Sequence, residues 1–322
     1  MKHYTRFRAY QLGEKGASFS LSVGQYFILV EARYNEVNKQ HIKYEMRLSG
    51  VNHIDVLHIT SWDEDHCKST ELEDIIQDLN PSVIECPGYS PHTITGLRSL
   101  SIITNSGCQV IRVNPTLVRN QTFTRLFGHD LFFGPDNIAD DTSSNNKSTI
   151  KLFRVGSFQV LSLGDCEDET IANRLKQNEI IANEVDVLIL AHHGADNGFT
   201  STDFLKAVNP KVAICACDWD NMYSHPSPAV RSMLSNLNIK YYSTKAGDII
   251  AQSIDKYKFK VSNYISNNEK KESVEVYSNK TFYTIDEPTL KSKACLKCLY
   301  FTIIIFDLCR YLEYFSYLCT IN

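Results

Sequence analysis

Three apolar runs in this sequence end in side chains that bind metals or move protons. The run 54–60 leads into Ser61-Trp62-Asp63-Glu64-Asp65-His66, the run 158–163 into Gly164-Asp165, and the run 185–191 into His192-His193-Gly194. Carboxylates and imidazoles are what a hydrolytic divalent cation takes as ligands, with one position left open for water whose acidity the cation raises. Asp63, Asp65 and His66 are close enough in sequence to face one pocket from a tight strand-to-helix turn. Taken singly, each cluster has a plain alternative. His-His-Gly suits a hydrogen-bonded loop pair, and Gly-Asp after a strand is an ordinary turn. The argument rests on their coincidence at strand ends, where loops of layered α/β proteins converge over a rigid sheet.

The elements that must hold these loops show two periodicities. Residues 7–12, 19–23, 26–32 and 54–60 are apolar segments between Gly13, Gly16, Gly24 and polar loops, which predicts strands. Leu72, Ile75, Ile76 and Leu79 then fall at helical spacing until Asn80 and Pro81 end the run, which predicts an amphipathic helix packed on a sheet. Further strands are expected over 83–86, 110–113, 149–155, 158–163, 185–191 and 212–216, and helices over 170–177 and 202–208. Ser227 and Pro228 read as the cap and first turn of a helix with Val230, Met233, Leu234 and Leu237 on one face. Strands near 240–243 and 249–253 close a main domain expected over 1–260.

An extension is expected over 261–322, opening with a polar linker or surface loop at 266–273. From Leu296 onward the chain is rich in aromatic and aliphatic side chains, but Asp307, Arg310 and Glu313 interrupt it before the roughly 20 apolar residues of a membrane helix. It reads as a helical segment without a membrane span that docks on the main domain, on a protein partner or on a second copy.

The composition, 43% hydrophobic and 22% charged over 322 residues, excludes disorder, collagen and coiled coil. Thirty-three Lys and Arg against 37 Asp and Glu leave a formal charge of −4, so no net field draws the chain onto nucleic acid or anionic lipid. A nucleic-acid substrate would need a local basic groove or a bound metal. The first ten residues are polar and basic without an apolar core, so a cytoplasmic protein is expected. Ten cysteines at irregular spacings read as reduced thiols; Cys295 and Cys298 form a CxxC that lacks the second pair a four-thiolate zinc site wants.

Together the ordered residues resemble the metallo-β-lactamase superfamily and, within it, the soluble hydrolase domain of ComEC-type DNA-internalisation proteins. Thr60, Asp63, Asp65 and His66 match its T-H-x-D-x-D-H element, with Ser61 where a histidine is expected. Asn145 or Asn146 with Ser148 matches N-x-x-S; Leu163, Gly164 and Asp165 match L-x-G-D; His192, His193 and Gly194 match H-H-G. Asn221, Tyr223, His225 and Pro226 match N-x-Y-x-H-P, Thr244 and Gly247 a closing Thr and Gly, and Gly13, Gly16 and Ser18 a glycine-rich opening with one residue inserted. The resemblance covers roughly residues 5–253. It implies a four-layer αβ/βα sandwich and a metal-dependent hydrolase, with Asp63, Asp65, His66, Asp165, His192 and His193 as the metal set. Asp165 resembles a bridging carboxylate, and His193 is favoured over His192 as ligand, His192 then orienting a ligand or the substrate. Asp65 and His225 are the candidate catalytic residues, His225 as general acid or phosphate hydrogen-bond donor, with a loop-capping role as its alternative. Asn146, Ser148, Asn221, Tyr223 and Thr244 would line the substrate pocket, and Trp62 would pack in its wall.

Two departures bear on the metal. Ser61 is a weak ligand where an imidazole is expected, and Glu31-Ala32-Arg33 stands where the family looks like Asp-x-Gly, so the link behind the ligands is expected to change. The oxygen-rich donor set tilts the choice from zinc toward manganese or magnesium, and one or two ions, Mn²⁺ or Zn²⁺, are expected per chain. The function implied is phosphodiester hydrolysis of a nucleic acid or nucleotide. The alternative is a metal-depleted scaffold that serves as a binding or regulatory module. His3, His41, His53, His58, His92 and His129 show no partner pattern.

Overall fold

Most strands of this chain bury both faces, as strands between a helix layer and a second sheet must. A computed structural model describes residues 5–113, 132–133, 143–220 and 222–281. These belong to the first of two units, Met1–Thr284 and Ile285–Asn322. The expected docking segment with Cys295 and Cys298, His129 and Asn221 lie outside the described residues.

Nine strands build one sheet: β1 (Thr5–Ala9), β2 (Phe19–Val23), β3 (Tyr26–Val30), β4 (Val56–His58), β5 (Val83–Pro87), β6 (Gln109–Val113), β13 (Ile249–Ser253), β14 (Lys258–Ile265) and β15 (Lys270–Ser278). Their order is β15-β14-β13-β1-β2-β3-β4-β5-β6. The other sheet joins β7 (Phe132–Phe133), β8 (Ile150–Val155), β9 (Phe158–Ser162), β10 (Val187–Ile189), β11 (Val212–Cys215) and β12 (Lys240–Ser243) in the order β12-β11-β10-β9-β8-β7. Both sheets follow one rule. An antiparallel pair, β2 with β3 or β8 with β9, is continued by parallel strands, β4 to β6 or β10 to β12.

Parallel neighbours require crossovers, and helices supply them on the outer faces. On the nine-stranded sheet lie α1 (Lys39–Leu48), α2 (Ser69–Leu79) and α3 (Ile94–Asn105). On the six-stranded sheet lie α4 (Glu169–Gln177), α5 (Glu179–Glu184), α6 (Thr202–Val208) and α7 (Pro228–Asn236). Ile42, Met46, Leu72, Ile75 and Ile103 of the first set share a core with Phe27, Leu29, Leu57 and Ile84. Ile171, Leu175, Phe204, Leu205 and Leu234 of the second share one with Leu152, Leu161, Leu188 and Ala213. The alternate strand residues face the opposite sheet, where Phe7 meets Phe153 at 6.5 Å and Phe158 meets Phe259 at 5.4 Å between ring centroids. Each fully buried side chain of this size contributes about 1.5–3 kcal/mol. The architecture is the four-layer αβ/βα sandwich that the resemblance implied.

One charged group is sealed between the sheets. Glu85 on β5 takes Lys151 Nζ of β8 at 2.7 Å and His58 Nδ1 of β4 at 2.8 Å, and the side chains of all three are at most 1% exposed. His58 therefore has partners, although its sequence neighbourhood showed none.

The segment expected to be a linker, 266–273, is instead the turn and first residues of a hairpin. Ser266, Asn267 and Asn268 take left-handed backbone angles at the turn, and β15 extends the sheet past residue 260. Its charged residues, Lys270, Lys271, Glu272 and Glu275, are those of an outermost strand, which is why the composition mimics a loop. Among the described residues no helix is long and apolar enough to cross a membrane.

Candidate metal centre

The loops that follow β4, β9 and β10 meet at one end of the two sheets. After β4 the chain turns tightly, with the amides of His66 and Cys67 both donating to the Asp63 carbonyl at 2.9 and 2.8 Å. That turn is laced to the preceding segments by Ala17 N to Asp65 O at 3.2 Å and Ala32 N to His66 O at 2.7 Å. After β9, Gly164 packs so closely on Ser148 that an added Cβ would lie 2.8 Å from the Ser148 Cβ. After β10, His192, His193 and Gly194 are all left-handed, with φ of 44°, 53° and 80°. A Cβ on Gly194 would lie 2.7 Å from the Pro226 Cβ, so this position needs glycine for space as well as for φ. Two consecutive histidines held at positive φ are backbone strain that packing must sustain, the kind that collects at functional sites.

Asp65, His66, Asp165 and His193 come together there, their ligand atoms within 4.8 Å of one another. His66 Nε2 is 2.8 Å from Asp165 Oδ2, and His193 Nε2 is 3.7 Å from both Asp65 Oδ2 and Asp165 Oδ1. Both Nε2 atoms are buried and make no aligned hydrogen bond. Their Nδ1 atoms are held from behind, His66 Nδ1 3.0 Å from Glu31 Oε1 and His193 Nδ1 2.7 Å from the Ala216 carbonyl. An Nδ1–H donated to such an oxygen leaves the Nε2 lone pair aimed into the site, as ligating imidazoles require. Two orphaned imidazole nitrogens beside two carboxylates fit a divalent cation.

Electrostatics agree. Burial disfavours the Asp165 anion, yet His66 and His193 outweigh it and hold the carboxyl at about 2. Asp65 is likewise buried but held well below the usual carboxylate range by His193, His66 and Lys15. Burial opposes charge on His66 and His193 too, and the surrounding carboxylates still draw both upward, Asp165 and Glu31 for His66 and Asp165 and Asp65 for His193. The pocket thus attracts positive charge, which a proton or a metal ion can supply.

No family model matches the sequence. It is 30% identical over 105 residues to ComE operon protein 3 of Bacillus subtilis, a match covering 33% of this chain and 13% of that protein. It is 30% identical over 128 residues to competence protein ComA of Neisseria gonorrhoeae, covering 36% and 18%. The chain is similar to ComEC-type proteins. The matched stretch is under a fifth of the length of either relative. Among solved structures, the metallo-β-lactamase fold protein YhfI of Bacillus subtilis superposes with a TM-score of 0.49 at 11% identity, covering 77% of this chain and 100% of that one. A metallo hydrolase of Ignicoccus hospitalis, Igni18, gives 0.42 at 13% identity, covering 76% and 98%.

The cluster opens on a cavity of about 400 Å³, lined among others by Lys15, Asp63, Asn145, Asp218, Tyr223 and His225. Asp63 does not join the four ligands; its Oδ2 accepts from Ser61 Oγ at 3.1 Å. His192 lies outside that four-residue cluster, its Nδ1 2.6 Å from Glu167 Oε1. Asn146 Oδ1 accepts from the Glu167 amide at 3.1 Å, so it braces the loop after Asp165. Ser148 is fully buried beneath that loop, and Thr244 Oγ1 accepts from Cys217 N and donates to Cys217 O, both at 3.1 Å. Tyr223 is exposed at the rim, its ring stacked on His225 at 5.5 Å. Burial and the charges of His193 and His192 push His225 down to about 4, which makes it a neutral hydrogen-bonding imidazole near pH 7. Trp62 is wall, donating Nε1 to the Tyr89 carbonyl at 2.9 Å.

Four residues of the site escaped sequence reasoning or were misjudged by it. Glu31, where a changed link behind the cluster was expected, backs it: one oxygen faces His66 and takes the Thr60 hydroxyl at 2.6 Å, the other the Thr60 amide at 3.0 Å. Arg33, expected to be a poor stand-in for glycine, braces the glycine-rich opening by donating to the carbonyls of Lys15 at 2.5 Å and Asp65 at 3.3 Å. Lys15 and Glu167 carried no signal in the sequence beyond their place next to motif residues.

Proposed function

We propose that this chain is a metal-dependent hydrolase of phosphodiesters in a nucleic acid or nucleotide. The observation that carries the reading is the pair of buried Nε2 atoms, each backed by an oxygen at Nδ1 and aimed at two carboxylates on the floor of an open cavity. Asp65, His66, Asp165 and His193 would hold the ion. A bound divalent cation, Mn²⁺ or Zn²⁺, supplies a more acidic water and neutralises phosphoryl charge. The chain's own groups do the rest. Glu31 and the Ala216 carbonyl keep the two imidazoles turned toward the ion, and Glu167 holds His192 at the cavity edge. His225, neutral and beside His192 and His193, offers a hydrogen bond to a phosphoryl oxygen. Tyr223 at the rim extends that surface toward a sugar or base. The similarity to competence proteins supports a nucleic-acid substrate over a thioester, lactone or β-lactam.

The test is cleavage of single-stranded DNA, RNA and cyclic nucleotides by Mn²⁺- or Zn²⁺-reconstituted protein beside an Asp165→Ala variant. Cleavage by the parent and a loss of at least about a thousandfold in the variant is expected. Equal rates for the two proteins would sink the mechanism.

A further inference from the structure

We infer that Lys15 supplies the second positive charge of a one-metal centre and binds a phosphoryl oxygen of the anionic substrate there. The inference rests on the phosphodiester reading above and adds a residue and an ion count to it. Among the described residues the four ligands form the single cluster able to hold a metal ion, and their span of 4.8 Å suits one ion. The residues that would have built a second position are otherwise engaged, Ser61 Oγ donating to Asp63 Oδ2 at 3.1 Å, while the Asp63 amide donates back to Ser61 Oγ at 3.2 Å.

With one divalent cation, Asp65 and Asp165 are neutralised, and Asp63 and Asp218 on the cavity wall remain. An anionic substrate entering that field is repelled unless another cation faces it. Lys15 is the one lysine or arginine among the described residues lining the cavity. Its Nζ lies 2.8 Å from Asp65 Oδ2, while its side chain stays 65% exposed toward the cavity mouth.

The loop that carries it is built for this placement. Lys15 lies between Gly13 and Gly16, in the loop that joins β1 to β2. Arg33 fixes the Lys15 carbonyl and the Asp65 carbonyl together, and the Ala17 amide donates to Asp65 as well. Gly16, at φ +133°, leaves no room for a Cβ against the Arg33 guanidinium, so loop and ligand turn are locked. The backbone that carries the lysine is pinned, while its side chain stays exposed at the cavity.

The test compares the full chain with Lys15→Ala and Lys15→Arg after Mn²⁺ reconstitution, reading metal per chain by elemental analysis and inorganic phosphate binding by calorimetry. One ion per chain is expected in all three proteins. Phosphate affinity should fall about tenfold or more in Lys15→Ala, the size of one lost charge-assisted hydrogen bond, and largely return in Lys15→Arg. Two ions or none in the parent would overturn the inference. Unchanged phosphate affinity in Lys15→Ala would overturn it too, as would a second ion gained by that variant, since the lysine would then be occupying a metal position. A protein that passes both measurements yet cleaves no phosphodiester supports the Lys15 assignment and removes only the substrate class proposed above.

Discussion

The two halves of the sandwich, β2 to β6 with α1 to α3 and β8 to β12 with α4 to α7, follow the same strand rule but load it differently. In each, the second strand of the antiparallel pair ends in a carboxylate, Glu31 after β3 and Asp165 after β9. In each, the loop after the next parallel strand carries a histidine of the cluster, His66 after β4 and His193 after β10. Asp165 faces the ligand cluster directly, whereas Glu31 reaches it only through the back of His66. Equivalent topology therefore places an acid after both strands, and the reach and direction of the side chain decide which one joins the cluster.

The sharpest way to break that comparison is to delete both acids in turn. Asp165→Ala removes the carboxylate shared by His66 and His193, and metal content after reconstitution and dialysis is expected to fall to near zero. Glu31→Ala leaves all four ligands, so metal should still bind with affinity reduced about 10–100-fold, the usual cost of losing an outer partner. Competition with a chromogenic chelator measures both. Equal losses would mean that the two strand ends are functionally equivalent.

The halves also differ between the sheets. The second contributes Val187, Ile189, Val212 and Ile214 to its inner face, while the first contributes His58 and Glu85, and Lys151 reaches across to neutralise them. Removing that cation by Lys151→Met strands a buried carboxylate and should cost about 3–5 kcal/mol in urea unfolding. Trimming Ile214 to Val on the apolar side should cost only about 0.5–1.5 kcal/mol. Acid gives a second reading. Against its burial, Lys151 and His58 hold the Glu85 carboxyl down at about 2, below its ordinary 4.5. A carboxyl depressed by folding contributes stability that is present above 4.5 and lost as pH falls toward 2. The parent should therefore lose this contribution over that window, and Lys151→Met, whose Glu85 has already lost its cation, should lose much less.

A pH effect of opposite sign comes from the second half. Burial raises Asp186 to about 7, although the amides of Gln159 and Lys280 donate to it. An acid whose folded value is raised binds more protons folded than unfolded, so its contribution to stability declines as pH rises from about 4 through 7. A melting series from pH 5 to pH 8 in the parent, beside Asp186→Asn, checks this. The downward slope over that range should be smaller in the variant.

The same contrast explains what the sequence disclosed. Three helices of the second half open with a side-chain cap, Asp168 on α4, Ser201 on α6 and Ser227 on α7, and their expected spans of 170–177, 202–208 and from 228 match the observed elements closely. In the first half, α1 and α2 start at Asn38 and Lys68 with no capping bond from the side chain. Helix α2 was legible anyway because its apolar face is regular, but α1 went unread: its sequence KQHIKYEMRL is polar and buries little beyond Ile42, Glu45 and Met46. Helix α3 was hidden by Gly96 within it and by Ile94 and Leu97 facing solvent. The four clustered residues, Asp65, His66, Asp165 and His193, could be singled out because each follows an apolar run that forms a strand. Lys151 and Glu85, 66 residues apart, and the brace from Arg33 to Asp65, 32 apart, exist only once the sheets have packed, and no local pattern announces them.

Capping is also the finest probe of the comparison. Ser227 accepts the Val230 amide, and Ser201 the Phe204 amide, at 3.1 and 3.2 Å, which satisfies one otherwise orphaned donor at each helix start. Replacing either serine with alanine should cost about 1 kcal/mol. Lys68 at the start of α2 offers no such bond and makes only half-exposed pairs with Glu14 and Glu71, so Lys68→Ala should change stability by less than about 0.5 kcal/mol. Urea titrations of the three variants rank them directly. If Lys68→Ala proved as costly as the serine changes, the first half would depend on its helix starts as much as the second does, and the uncapped start of α2 would have to be stabilised by those ion pairs instead.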